Sequence, residues 1–369
     1  MRILAVDMGT GTQDILVFDP AGPVENSIKL VMPSATTIAA GRIRRATASR
    51  RAVLLTGVIQ GGGPCHWALE DHLRAGRDAY ATAEAARTFD DDLDRVRAMG
   101  VRVVSEDEAS GLRDVERIEL RDLDLGAIRA ALAAFDVDGA FDGLALGCLD
   151  HGDAPPEYSD RLFRFDHLRR VVERENDLCA FAYLPEELPE YLTRARTMLS
   201  CAAGEGPIVF LDTGPAAALG ALQDPQVASA EERLVVNLGN MHALAFHLRG
   251  TRIVSLYEHH TGEMRTEQIE DFTERLAAGS LRHEEVFESK GHGAFYATDG
   301  GSNGERPAML AVTGPQRGRL RGSRLRPYFA SPHGDMMISG CFGLVRAFGT
   351  RYPAHREEIE RALDGEPRT

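Results

Sequence analysis

Only two lysines, Lys29 and Lys290, stand among the 42 basic residues, there is one tryptophan, and no apolar run reaches the about 18 residues a membrane span needs. A transmembrane helix is therefore not expected. The five cysteines (Cys65, Cys148, Cys179, Cys201 and Cys341) are odd in number and scattered, without CxxC spacing. That argues against a disulfide framework or a zinc finger and suits a reducing cytoplasm, the expected location. The opening MRILAVDMG lacks a small-residue cleavage site and reads as a strand, not a leader. A net charge of −14 argues against nonspecific binding to nucleic acid or anionic membranes. The HExxH helix of zinc proteases is also absent.

What is present is alternation. Ile3 to Asp7 and Ile15 to Asp19 are β-rich runs around a polar, glycine-containing turn, a hairpin pattern. Strand Ala52 to Thr56 leads into Gly61-Gly62-Gly63-Pro64 and a helical run in which Trp67 reads as packing. Further strands are expected at Val101 to Ser105, Leu144 to Cys148 and Ile208 to Leu211, with helices near Leu125 to Phe135, Asp160 to Arg174 and Glu186 to Cys201. Such alternation predicts α/β lobes. The polar stretch 223–233 breaks the composition, and strands resume at Leu234 to Leu248 and Arg252 to Tyr257. Ser289 to Pro307 reads as a surface loop that could contribute to an acceptor site, Asp335 to Phe348 as a final helix, and the chain after Tyr352 as a charged, frayed tail.

The chemistry begins at Asp7-Met8-Gly9-Thr10-Gly11-Thr12-Gln13-Asp14. Alternate glycines let the backbone turn tightly and aim several N–H groups at one point, an anion nest. Asp7, at the strand end, is placed to hold Mg2+ through water. A strand–turn–strand with Asn237-Leu238-Gly239 echoes this segment late in the chain.

These residues resemble the first phosphate loop of the actin, sugar-kinase and heat-shock-chaperone ATPases. Asp212-Thr213-Gly214-Pro215 and the small residues after it resemble that superfamily's connecting helix, and Val235 to Asn240 its second phosphate loop. Ala311-Val312-Thr313-Gly314-Pro315, with the helix around Gly340 to Arg346, resembles its adenosine motif and second connecting helix. The resemblance implies two ribonuclease-H-like lobes around a nucleotide cleft: lobe I at 1–222, lobe II at 223–334, and a terminal helix at 335–369 returning toward lobe I. It implies ATP and Mg2+ as cofactors. Gly9, Thr10, Gly11, Thr12, Gln13, Gly214, Gly239, Asn240, Gly314 and Pro315 would bind the nucleotide, and Asp7, Asp212 and Asn237 would occupy catalytic positions. The second loop departs from the pattern, since Asn237 replaces the usual Asp and cannot act as a carboxylate base.

A closer resemblance rests on Asp212 to Pro215, Asn237 to His242, Glu258-His259-His260-Thr261-Gly262 and Pro332 to Met337. These look like a bacterial and archaeal family labelled pyruvate formate-lyase activating enzymes. That label implies an iron–sulfur cluster and S-adenosylmethionine, but the tight CxxxCxxC run of such activators is missing, so radical chemistry is not expected.

Eight of the 12 histidines lie at or after His242. Histidine is the commonest metal ligand and a general acid or base near neutral pH. A composite metal site of Glu258, His259 or His260, His283 and Asp335 is one reading, and His151-Gly152-Asp153 is placed to reach the cleft. His242 and His247, five apart in one strand, face opposite sides. Three functions stay open: an ATP/Mg2+-dependent phosphotransferase or ATPase of unknown acceptor, a nucleotide-sensing regulator of a partner enzyme, and a His/carboxylate metal enzyme on the same fold.

Overall fold

The structure, a computed structural model, describes residues 1–298 and 307–365. The first sheet begins with an antiparallel meander, β1 (Ile3–Met8), β2 (Thr12–Phe18) and β3 (Ile28–Pro33). Between that meander and its return lies a separate parallel sheet: β4 (Ala52–Gly57), β5 (Ala79–Thr82), β6 (Arg102–Val104) and β7 (Val115–Leu120), ordered β6-β5-β4-β7. The chain then returns through β8 (Gly143–Cys148), β9 (Ala182–Tyr183) and β10 (Ile208–Leu211), completing the order β3-β2-β1-β8-β10-β9. β8 runs parallel to β1, and β10 parallel to β8.

The second sheet repeats this plan. A meander of β11 (Glu232–Leu238), β12 (His242–Arg249) and β13 (Arg252–His260) is edged by β14 (Gly293–Tyr296). It is followed by β15 (Met309–Thr313), parallel to β11, and β16 (Tyr328–Phe329), in the order β14-β13-β12-β11-β15-β16. A meander whose first strand takes one parallel partner, itself flanked by a second parallel strand, found twice in one chain, is the actin-like ATPase fold with its two ribonuclease-H-like lobes. The chain has that fold.

Why the strands sit where they do follows from their two-residue period. Ile3 and Ala5 of β1 enter the core between the lobes, while Leu4, Val6 and Met8 enter a second core on the opposite face. With both faces covered, such central strands can be apolar throughout. The core between the lobes is built on two helices, Thr213–Ala221 and Ser339–Arg351. The first carries no charged residue and is buried along its length. The two cross at backbone contact: a Cβ on Gly220 would lie 1.6 Å from the Ser339 carbonyl oxygen, and one on Gly343 2.0 Å from that of Ala216.

The inserted sheet has its own core, including Ala39, Ile43, Val53, Leu55 and Leu69. Other expectations shift in detail. Trp67 is 48% exposed and is not core. The helix expected from Glu186 begins at Thr193, and the final helix at Ser339. The expected frayed tail after Tyr352 is instead helical from Pro353 to Leu363, burying Ile359 and Leu363, and 366–369 lie outside the described residues. Within the expected loop Ser289 to Pro307, residues 293–296 form β14, and 299–306 lie outside the described residues. No described helix is long and apolar enough to cross a membrane.

Candidate functional site

The two lobes bring matching hairpins face to face. In the first, Gly9 N donates to Thr12 O at 3.0 Å, and in the second Gly239 N donates to His242 O at 2.9 Å. Asp7 and Asn237 each lie two residues before that glycine, so they hold equivalent places. The tips meet: a Cβ on Gly11 would lie 2.3 Å from Asn240 Nδ2. Gln316 Nε2 donates to Asn240 Oδ1 at 3.3 Å, and a Cβ on Gly314, whose φ is +92°, would lie 2.5 Å from Asn237 Oδ1. Gly314 and Pro315 thus turn against the second hairpin, and Gln316 N donates to Leu238 O. Gln13 points away from the tip, donating from Nε2 to Pro33 O at 2.9 Å.

Beneath the first turn, Asp7 and Asp14 are direct partners in the β1–β2 ladder, so their side chains share a face. Asp7 is buried and accepts a 2.7 Å hydrogen bond from Thr213 Oγ1, while the first turn of the 339–351 helix presses on it through Gly340. Asp14 Oδ1 is buried with no hydrogen-bond partner. Burial pushes the Asp7 carboxyl up to about 7, with the charge of Asp212 adding to the rise. Burial and the neighbouring Asp7 push Asp14 up to about 8. Two facing carboxylates with an orphaned oxygen are a donor set suited to Mg2+, which binds few carboxylates and keeps its water. The fit with a phosphate-bound magnesium is therefore good.

Asp212 does not join them as a free carboxylate. It caps the 213–221 helix, accepting from Gly214 N at 2.9 Å, and both its oxygens accept from the guanidinium of Arg164. Arg164 lies on helix Asp160–Arg174 of lobe I and is fully buried. Its Nε donates 3.2 Å to Glu258 Oε2 on β13 of lobe II, and Glu258 Oε1 receives His242 Nδ1 at 3.0 Å. Burial would raise Glu258, but the Arg164 guanidinium, with the hydrogen bond from His242, outweighs it and holds the carboxyl well below the usual range.

Around His242 the structure gathers histidines from three places in the chain. His151 follows β8, its turn fixed by buried Asp150 accepting from Gly152 N and Ala195 N. His292 lies between Gly291 and Gly293, and its Nε2 is 3.2 Å from His151 Nε2. The ring of His260 is 4.6 Å from that of His292 and 4.9 Å from that of His242, centre to centre. Burial keeps His151 neutral well below the usual range and lowers His260 to about 4.

The composite site of the sequence reading changes accordingly. Glu258, His259 and His260 stand inside β13, not in a loop beyond it, so alternation sends Glu258 and His260 to the cleft and His259 to the other face. There His259 binds His260 O and Ser289 Oγ. His283 packs between Phe165 and Phe287. Asp335 accepts from Met337 N and neighbours Asp14 instead of the histidines. Sequence reasoning missed Arg164 and the convergence of His242 and His292 with His151. The glycines flanking His292 were the available signal.

The sequence matches, over residues 60–319, the family described as “Putative pyruvate format-lyase activating enzyme (DUF1786)”. Among solved structures it is similar to the “Lmo2764 protein, a putative N-acetylmannosamine kinase, from Listeria monocytogenes”, at 12% identity and a TM-score of 0.35, covering 95% of this chain and 100% of that one. The ROK hexokinase from Thermus thermophilus gives 15% identity and a TM-score of 0.24, with 69% of this chain and 48% of that one covered. The Aquifex aeolicus member of the Ppx/GppA family gives 10% and 0.29, covering 99% and 87%. No curated protein matches the chain. An activating-enzyme cluster does not fit the sulfurs present. Cys65, Cys148, Cys179 and Cys341 sit on separate elements and Cys201 just past a helix end, and among the described residues the one converging set of three or more metal-ligand side chains is His151, His242 and His292.

Proposed function

We propose that this chain, which belongs to the family described as “Putative pyruvate format-lyase activating enzyme (DUF1786)”, is an ATP- and Mg2+-dependent phosphotransferase or ATPase working between its two lobes. The observation that carries the reading is the pair Asp7 and Asp14 beneath the glycine turn, with Asp14 Oδ1 buried and unpartnered. Asp7 would hold Mg2+ through water. Backbone N–H groups at Thr10, Gly11 and Thr12 and the two threonine hydroxyls would receive the phosphate oxygens. Magnesium, when bound, offsets charge developing on the transferred phosphoryl group, and the rest of catalysis is positioning.

With Asp212 tied to Arg164 and Asn237 unable to accept a proton, we assign to Asp14 the role of taking one from the attacking hydroxyl or water. A base near the operating pH is the efficient choice, and burial raises Asp14 toward it. Contact between Gly11 and Asn240 corresponds to closed lobes, so nucleotide entry requires them to part, as hinged two-lobed enzymes do. A second reading, nucleotide sensing without turnover, is favoured by Asn237 in the place equivalent to Asp7. Phosphate release from ATP in Mg2+ separates them. Turnover that Asp14→Asn lowers by about 100-fold or more supports the enzyme; binding without turnover supports the sensor.

A further inference from the structure

The histidines do no work in that reading, yet among the described residues they are the one group of three or more candidate metal-ligand side chains that converge. One potential donor atom each from His151, His242 and His292 lie within 4.8 Å of one another. Tetrahedral zinc with Zn–N bonds near 2.0–2.1 Å separates its ligand nitrogens by about 3.4 Å. The His151 and His292 Nε2 atoms are already 3.2 Å apart. His242 gives its Nδ1 to Glu258, which leaves Nε2 free, and a carboxylate behind a ligating imidazole is the usual outer support of a metal-bound histidine. His292 is wholly buried, and its Nδ1 has no hydrogen-bond partner.

Charge points the same way. Arg164 is one buried cation held between two buried carboxylates, Asp212 and Glu258, which leaves that network one negative charge in excess. A dication beside it offsets the excess in a region where unpaired charge is costly. On its outer side the cluster meets a cavity of about 620 Å³, which reaches His151 and His260 and is bordered by Arg87, Asp91, Asp153 and Arg161.

We propose that His151, His242 and His292 bind one first-row transition-metal ion, Zn2+ in the first instance, with Glu258 as the outer carboxylate and an open position toward the cavity for an oxygen ligand. His151 comes from lobe I and His242 and His292 from lobe II, so the ion also fastens the lobes in their closed arrangement. Three imidazoles with an open position are the donor set of zinc sites that polarise or activate an oxygen ligand. The observations behind the site do not rest on the nucleotide reading, and its test uses no nucleotide.

The experiment is metal loading of the full-length protein after stripping with a chelator. Co2+ serves as the optical probe, followed by displacement with Zn2+ and elemental analysis. The expected result is one ion per chain, the intense visible absorption of tetrahedral Co2+, and bleaching on addition of one equivalent of Zn2+. His151→Ala/His292→Ala should lower retained metal at least tenfold, while His283→Ala keeps the full equivalent. Circular dichroism checks that the double variant folds. Should it not fold, the wild type alone decides: a rise in melting temperature with stoichiometric Zn2+ supports the site. Wild-type protein that takes up no stoichiometric ion, or a folded double variant that retains it, overturns the proposal and leaves a plain His151–His292 hydrogen bond.

Discussion

Arg164→Met removes the cation that joins Asp212 to Glu258 across the lobes while keeping much of the side chain's volume. Asp212 and Glu258, 4% and 0% exposed, then face each other without it. Taking one partner from a buried pair costs about 3–5 kcal/mol. An unfolding entropy near 2.1 cal/mol/K per residue over 369 residues is about 0.8 kcal/mol/K, so the cost corresponds to a melting temperature lower by roughly 4–6 °C. The pH dependence gives a second, independent readout. Glu258 is held below its unfolded value, so its contribution is present above about pH 4.3 and is lost as pH falls through the folded value. In the variant the Arg164 share of that contribution is gone, so the deficit should be largest at pH 7.5 and narrow below about pH 4. Differential scanning calorimetry of both proteins across this range is the assay. A variant within 1 °C of wild type at pH 7.5 refutes the reasoning.

The other predictions concern the hairpins and the helix crossing. Gly343→Val drives a side chain into the Ala216 carbonyl and should cost about 1–3 kcal/mol, read as an earlier urea midpoint. Asp7 and Asp14 are raised on folding, so their contribution is full below about pH 4 and falls away as pH rises through about 7 and 8. Metal-free protein should therefore lose melting temperature over that window, Asp14→Asn should flatten the loss, and added Mg2+ should reverse it in wild type only. Asn240→Gly removes the side chain that meets Gly11 and should tighten ATP binding several-fold by titration calorimetry; weaker binding would mean that Asn240 is a ligand and not a stopper.

How much of this was legible in the sequence depends on the range of the interactions involved. The first hairpin was readable because alternate glycines and two-residue periodicity are local, and the Asn237 echo for the same reason. The inserted sheet was not separable, since strand–helix alternation looks the same whether β4 joins β1 or founds a sheet of its own; only long-range core closure decides. Polar residues at Glu258-His259-His260 looked like a strand end, yet pairing with β12 and β14 carries β13 through them. The terminal helix has only a sparse apolar stripe, Ile359 and Leu363, and its charged exposed face resembled a tail. His151 and His292 are 141 residues apart, and no local pattern could join them.

The central claim is that the turn above Asp7 and Asp14 holds nucleotide phosphate with magnesium. Titration calorimetry of metal-stripped protein with ATP, with and without Mg2+, on wild type and Asp7→Asn tests it most directly. The account predicts binding by wild type that requires Mg2+ and is lost or weakened at least tenfold in the variant. Absence of binding at millimolar ATP with Mg2+ present, or equal binding by the variant, would contradict it.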